Sequence, residues 1–224
     1  MQPTTVWLVR HAETENPHVF NGAETDIGLS DLGFRQAEMA AEWFTSLKPT
    51  IVISSAMRRA VDTAQPIVER CRVRHQVEPE LHERRIGSLA GTSFSLAEGP
   101  WVETLRRWQL GEISYTTPGA ESFEEIRDRV FKAWRRNLDD LQGERVVVVA
   151  HGVVCKVLLL SLLADHGPAD WARIGKAANL SVSELVRTTS GWEARFLLQV
   201  PESVARITSD FARLAPVAAA PSVA

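Results

Sequence analysis

Arg145–Ala150 (RVVVVA) runs straight into His151-Gly152, and the apolar stretch Val153–Ala164 follows at once. The consecutive valines show no alternation of apolar and polar positions, so the segment reads as a strand covered on both faces, as in a parallel sheet. The histidine-glycine pair punctuates it, and the next run reads as an apolar helix. Strand, tight turn and helix make the unit from which α/β sheets are wound.

Working outward, two more segments have the same texture. Thr4–Val9 (TTVWLV) is a short, β-rich apolar run that ends at Arg10-His11. Thr50–Ser54 (TIVIS) is another, preceded by Lys48-Pro49. Between them, Ser30 is placed to cap a helix whose apolar positions Leu32, Ala37, Ala40, Ala41, Phe44 and Leu47 keep helical spacing. Ala56–Cys71 returns to that spacing, with Pro66 predicting a kink or a late start. Val73–Val77 reads as a weak, polar strand near a sheet edge. Ser122 and Glu125 form a capping box, predicting a helix to about Leu141. Ser183–Arg187 and Trp192–Val200 predict a hairpin around Ser190-Gly191.

Glu78–Gly119 differs: it holds several glycines and reads as an excursion from the sheet, with one helical piece around Trp101–Leu110. The expected fold is therefore a three-layer α/β domain with a mostly parallel sheet and a small inserted cap region. It would be a single domain over residues 1–213, with 84–119 as the cap. The uncharged, Ala- and Pro-rich residues 214–224 are expected to be disordered.

A net charge of −3 over 224 residues gives no global basic field. It offers no reason to expect nucleic-acid or anionic-membrane partners, so any anion site must be local. Cys71 and Cys155 are the only cysteines and make neither a disulfide framework nor a metal cluster. Met1–Val9 lacks the features of a secretory signal, and Val153–Ala164 contains Lys156 and is too short for a membrane span. The reading is a cytoplasmic protein.

Ligands of such sheets bind at the carboxyl ends of the strands, where helix N-termini present unpaired N–H groups. Two strands end there in Arg10-His11 and His151-Gly152, and Arg59 follows the third by one helical turn. A neutral imidazole can attack phosphorus near pH 7, and guanidinium forks match phosphoryl oxygens. Enough converging protein cations make a metal unnecessary for such chemistry.

The segment LVRHAETEN (Leu8–Asn16) resembles the Arg-His-Gly signature of the histidine phosphatases, the superfamily that includes phosphoglycerate mutases. The resemblance continues in order through TDIGLSDLGFRQA (Thr25–Ala37), SSAMRRAVDTA (Ser54–Ala64), LHERRIGSLAG (Leu81–Gly91), PGAES (Pro118–Ser122) and VVAHGVV (Val148–Val154). It implies that His11 accepts the phosphoryl group, that Arg10, Arg59 and His151 hold its oxygens, and that Glu83 is the acid/base. Asn16, Asn21, Gly22 and Arg84 fall on positions that contact substrate. It implies no cofactor and no metal. Ala12 stands where the family has glycine, so the backbone there must tolerate a methyl group.

The resemblance implies phosphomonoester hydrolysis on a small-molecule substrate. A mutase that returns the phosphoryl group to another hydroxyl is the alternative. Against it stand a short segment between Gly91 and Glu121, Ile86 where that branch has tyrosine, and Val153 where it has asparagine. A silent phosphate-binding module is the third reading, opposed by the retained Arg10, His11, Arg59, Glu83 and His151. His18, His75, His82 and His166 are expected at the surface. Trp101 and Trp108 are expected to pack the cap onto the domain. Arg106 and Arg107 either meet a second acidic group or, more simply, face solvent. Oligomeric state, a homodimer included, is left open.

Overall fold

The computed structural model describes residues 3–214, with the side chains of 94–98 and 211–214 outside the description. Its sheet has six strands: β1 (Thr5–Arg10), β2 (Ile51–Ser55), β3 (Arg74–Glu78), β4 (Arg145–Ala150), β5 (Val182–Thr188) and β6 (Gly191–Gln199). Their order is β3-β2-β4-β1-β5-β6. The first four pair in parallel, and β5 and β6 add an antiparallel hairpin beside β1. This is a three-layer α/β fold with a mostly parallel sheet.

Alternation along the central strands supplies both cores. Trp7 and Val9, Val52, and Val147 and Val149 face α1 (Asp31–Leu47) and α2 (Arg58–Cys71). Val6 and Leu8, Ile51 and Ile53, and Val146 and Val148 face the layer built from α4 (Phe123–Leu138) and α5 (Gly152–Leu162). Val6, Val9, Val52, Val146, Val147 and Val149 are fully buried. Burying both faces of a strand is what an unbroken run of β-branched residues permits.

Local signals set the helix starts. Ser30 accepts from the Gly33 amide at 3.0 Å and opens α1. Lys48, at a left-handed φ of 48°, closes it. Both bonds of the Ser122–Glu125 capping box are present, so α4 begins where its sequence requires, although it stops at Leu138. α2 starts at Arg58 and carries Pro66 inside it.

Three expectations need correcting. The cap helix α3 spans Phe94–Gln109, seven residues earlier than its apolar spacing suggested, because Gly99 and Pro100 are taken into the helix instead of breaking it. A sixth helix, α6 (Glu202–Leu214), was not anticipated; it docks beside α1 through the buried Val204 and a Gln36–Thr208 hydrogen bond of 2.9 Å. Leu214 therefore closes a helix, and the rest of the tail, 215–224, lies outside the described residues. His75, His82 and His166 are half-buried, not surface groups; His75 bonds Ser54 Oγ at 2.9 Å. Trp101 and Trp108 do pack the cap, against each other and against Trp171.

Candidate active site

Because β1, β2 and β4 are parallel, their carboxyl ends share one edge of the sheet. Arg10 pairs with Ala150, so the next residue of each strand, His11 and His151, emerges side by side. Their ring centroids are 5.2 Å apart with 60° between the planes. Both are buried, at 5% and 0% exposure.

The hydrogen bonds fix both tautomers. His11 Nδ1 lies 2.7 Å from the carbonyl oxygen of Ala12, which can only accept, so Nδ1 carries the hydrogen and Nε2 the lone pair. His151 Nδ1 accepts from Arg59 Nε at 3.3 Å, leaving its Nε2–H to donate to Ser55 Oγ at 2.8 Å. Burial holds the His11 imidazole well below the ordinary histidine range, helped by Arg10 and Arg59. Burial does the same to His151, with Arg59 the largest of its charged neighbours. Neither ring is a cation at neutral pH.

Arg10 Nη1 donates to the Ala177 carbonyl at 2.7 Å, and its Nε has no hydrogen-bond partner among the described residues. Arg59 has no exposed surface, and its fork is spread over backbone: Nη1 to Thr25 at 2.7 Å, Nη2 to Gly22 at 3.1 Å. Arg58, beside it, is exposed and paired with Asp62. Glu83 is buried; Oε1 accepts from the Arg84 amide at 2.9 Å and Oε2 from the Val153 amide at 3.3 Å. Val153 lies in the first turn of α5, so the carboxylate sits at a helix N-terminus.

A cavity of about 400 Å³ opens over this edge. Arg10, His11, Asn16, Asn21, Gly22, Glu83 and Arg84 all line it; Arg59 and His151 do not, and stand one layer beneath. Gly22 is required there by close approach: a Cβ would lie 2.5 Å from Ile86 Cγ1 and 2.9 Å from the Arg84 carbonyl. Ala12 is fully buried in the core, its φ is not positive, and its amide donates to Thr63 Oγ1 at 3.0 Å. The methyl group is accommodated. Arg106 and Arg107 pair with Glu103, and Arg107 also with Glu112, on the cap's solvent side.

Several parts of the site had no motif to reveal them. Ser55 holds His151, Thr63 holds Ala12, and Asn179 donates to the His11 carbonyl at 3.0 Å. Ser55 stands at a strand end and was findable on that ground. Asn179 and the Ala177 carbonyl arrive from a loop beyond α5, and only the folded chain shows them.

A family model described as "Histidine phosphatase superfamily (branch 1)" matches residues 6–199. The chain belongs to this superfamily. A metal-independent phosphoserine phosphatase of Arabidopsis thaliana is 30% identical over 84% of this histidine phosphatase-family chain and 79% of its own length. A probable phosphoglycerate mutase, GpmB, of Salmonella paratyphi C is 33% identical over 84% of this chain and 87% of that one. Among solved structures, mycobacterial glucosyl-3-phosphoglycerate phosphatase Rv2419c is similar, with a TM-score of 0.73 at 25% identity, covering 88% of this chain and 99% of that chain. The chain spans about half the length of the curated mycobacterial relatives it matches. Among the described residues, no helix of this superfamily member is long and apolar enough to cross a membrane.

Proposed function

We propose that the protein hydrolyses small-molecule phosphomonoesters through a phosphohistidine on His11, without a metal. The observation that carries this is the Nδ1–H bond of His11 to the Ala12 carbonyl. It leaves the Nε2 lone pair on a neutral ring that lines the cavity.

In the first step Nε2 bonds to phosphorus, the ester P–O bond breaks, and the protonated Glu83 carboxyl gives its proton to the leaving oxygen. In the second, the Glu83 carboxylate takes a proton from water, the hydroxide oxygen bonds to phosphorus, and the N–P bond breaks to release phosphate. Arg10 faces the phosphoryl oxygens directly. Arg59 and the N-terminus of α5 act from just behind, where low dielectric strengthens their field. Ile86 and Val153, both at the cavity wall, supply no polar group to hold a second hydroxyl for phosphoryl return. The phosphatase names among the relatives support hydrolysis over transfer. Cys71 and Cys155 are free thiols, in keeping with a cytoplasmic site of action.

Turnover of a chromogenic phosphomonoester by wild type and His11→Ala tests the reading. The expected result is phosphate release by wild type, an alkali-stable, acid-labile phosphoprotein on rapid quenching, and neither in the variant. Turnover by folded His11→Ala above about a hundredth of wild type, far more than loss of a covalent nucleophile allows, overturns it. Isomerisation of phosphoglycerate in the presence of a bisphosphoglycerate primer would favour the mutase instead.

A further inference from the structure

Beyond Arg10, the cavity is lined by three further cations, Arg84, Lys156 and Lys176, against two carboxylates, Glu13 and Glu83. Lys156 is the unusual one. It is only 8% exposed in the apolar helix α5, yet no described carboxylate forms an ion pair with it. Its Nζ donates to the Trp171 carbonyl and lies 4.4 Å from the centroid of the Trp171 ring. The carbonyl takes one of the ammonium's three N–H groups; the other two have no hydrogen-bond acceptor among the described residues, and the ring face offers only a cation-π contact. Burial lowers its pKa to about 8, the mark of a charge held without a counter-ion. Arg84 is fully buried, has an Nη1 with no hydrogen-bond partner among the described residues, and its guanidinium carbon lies 5.0 Å from the Trp101 ring. Trp101 and Trp171 pack edge to face, 6.1 Å apart, so the two cations flank one aromatic wall of the cavity.

The helix sets the distance from the chemistry. Gly152 and Val153, at the N-terminus of α5, line the floor, and Lys156 stands one turn further, about 6 Å along the axis. A short carbon skeleton spans that interval. We infer that Lys156, with Arg84, forms a second anion subsite, and that the preferred phosphomonoesters carry another anionic group, a carboxylate or a second phosphate, near the ester. This rests on the phosphatase reading for the identity of the first group, and adds a residue and a substrate class to it.

The test compares ligands that differ in one anion. O-phosphoserine is set against O-phosphoethanolamine, and propane-1,3-diol bisphosphate against propyl phosphate. Affinities are read as competition constants against a chromogenic ester, or by calorimetry if the protein turns nothing over. A protein without turnover would sink the hydrolysis reading while leaving the subsite measurable. Wild type should favour the doubly anionic member of at least one pair about ten-fold or more. Lys156→Gln, which keeps a donor for the Trp171 carbonyl, and Lys156→Met should each shrink that ratio to about two-fold, and Lys156→Arg should restore it. The pair that responds identifies the second group. A wild-type ratio near one for both pairs, or a ratio unmoved by either neutral variant, overturns the proposal.

Discussion

Arg59 Nε donates to His151 Nδ1 across 3.3 Å, so one buried guanidinium sets the tautomer of the ring that packs beside His11. The same side chain carries the loop at Asn21 and Gly22 on its Nη2. Arg59 thus couples the cavity wall to the histidine pair.

Replacing Arg59 by lysine should break that coupling, because an ammonium cannot reach His151, Thr25 and Gly22 together. We expect Arg59→Lys to lower kcat/KM by about 10²–10³-fold. Steady-state kinetics with one chromogenic ester checks it. A variant within three-fold of wild type would mean that the fork's geometry is irrelevant.

Glu83→Gln removes the proton source while keeping an oxygen for one of the two amide bonds now made to Arg84 and Val153. Alkyl phosphates, whose leaving oxygens need protonation, should slow by about 10²-fold or more, and p-nitrophenyl phosphate much less. The slope of log kcat/KM against leaving-group pKa is the measurement. Equal slowing across the series would remove Glu83 from the acid role.

Stability should fall on mild acidification. His11 and His151 have folded-state pKa values well below the unfolded value of 6.5, so the unfolded chain binds protons that the native one refuses. The contribution is whole above pH 6.5 and is lost as pH drops toward the depressed folded values. Each ring should cost about 1.4 kcal/mol per pH unit in that window. Urea titrations from pH 7.5 to 5 follow the slope, which His151→Asn should make shallower. An unchanged slope would argue that this ring is protonated in the fold.

Gly22→Ala should cost about 1–3 kcal/mol and raise KM, since the added methyl would meet the Arg84 carbonyl and Ile86 rather than open space. Thermal melts and KM measured together separate a displaced wall from simple unfolding.

What the sequence made legible follows from where the constraints are local. β4 was bounded to the residue because its valine run stops just before a histidine-glycine pair, and the starts of α1 and α4 were legible because Ser30 and Ser122 satisfy their own helix amides. α3 was misread at its start because Gly99 and Pro100 look like a break, although a proline removes only one helical bond and the chain can carry it. α6 went unseen because it is tied down by contacts to distant residues such as Gln36. In the site, strand ends pointed to Arg10, His11 and His151. That Arg59 and His151 stand beneath the cavity is decided by hydrogen bonds to Thr25, Gly22 and Ser55, which no linear pattern contains. Lys156 shows in the sequence only as a charge interrupting an apolar stretch; its partner, Trp171, lies beyond the end of that helix.

β1, the innermost antiparallel-to-parallel junction of the sheet, takes β4 on one side and β5 on the other. His11 thus precedes the neighbours that orient it, His151 and Asn179, by well over a hundred residues of chain. Pairings so distant along the polymer form late and slowly. During refolding, regained turnover should lag behind helix content and clock the closing of the sheet.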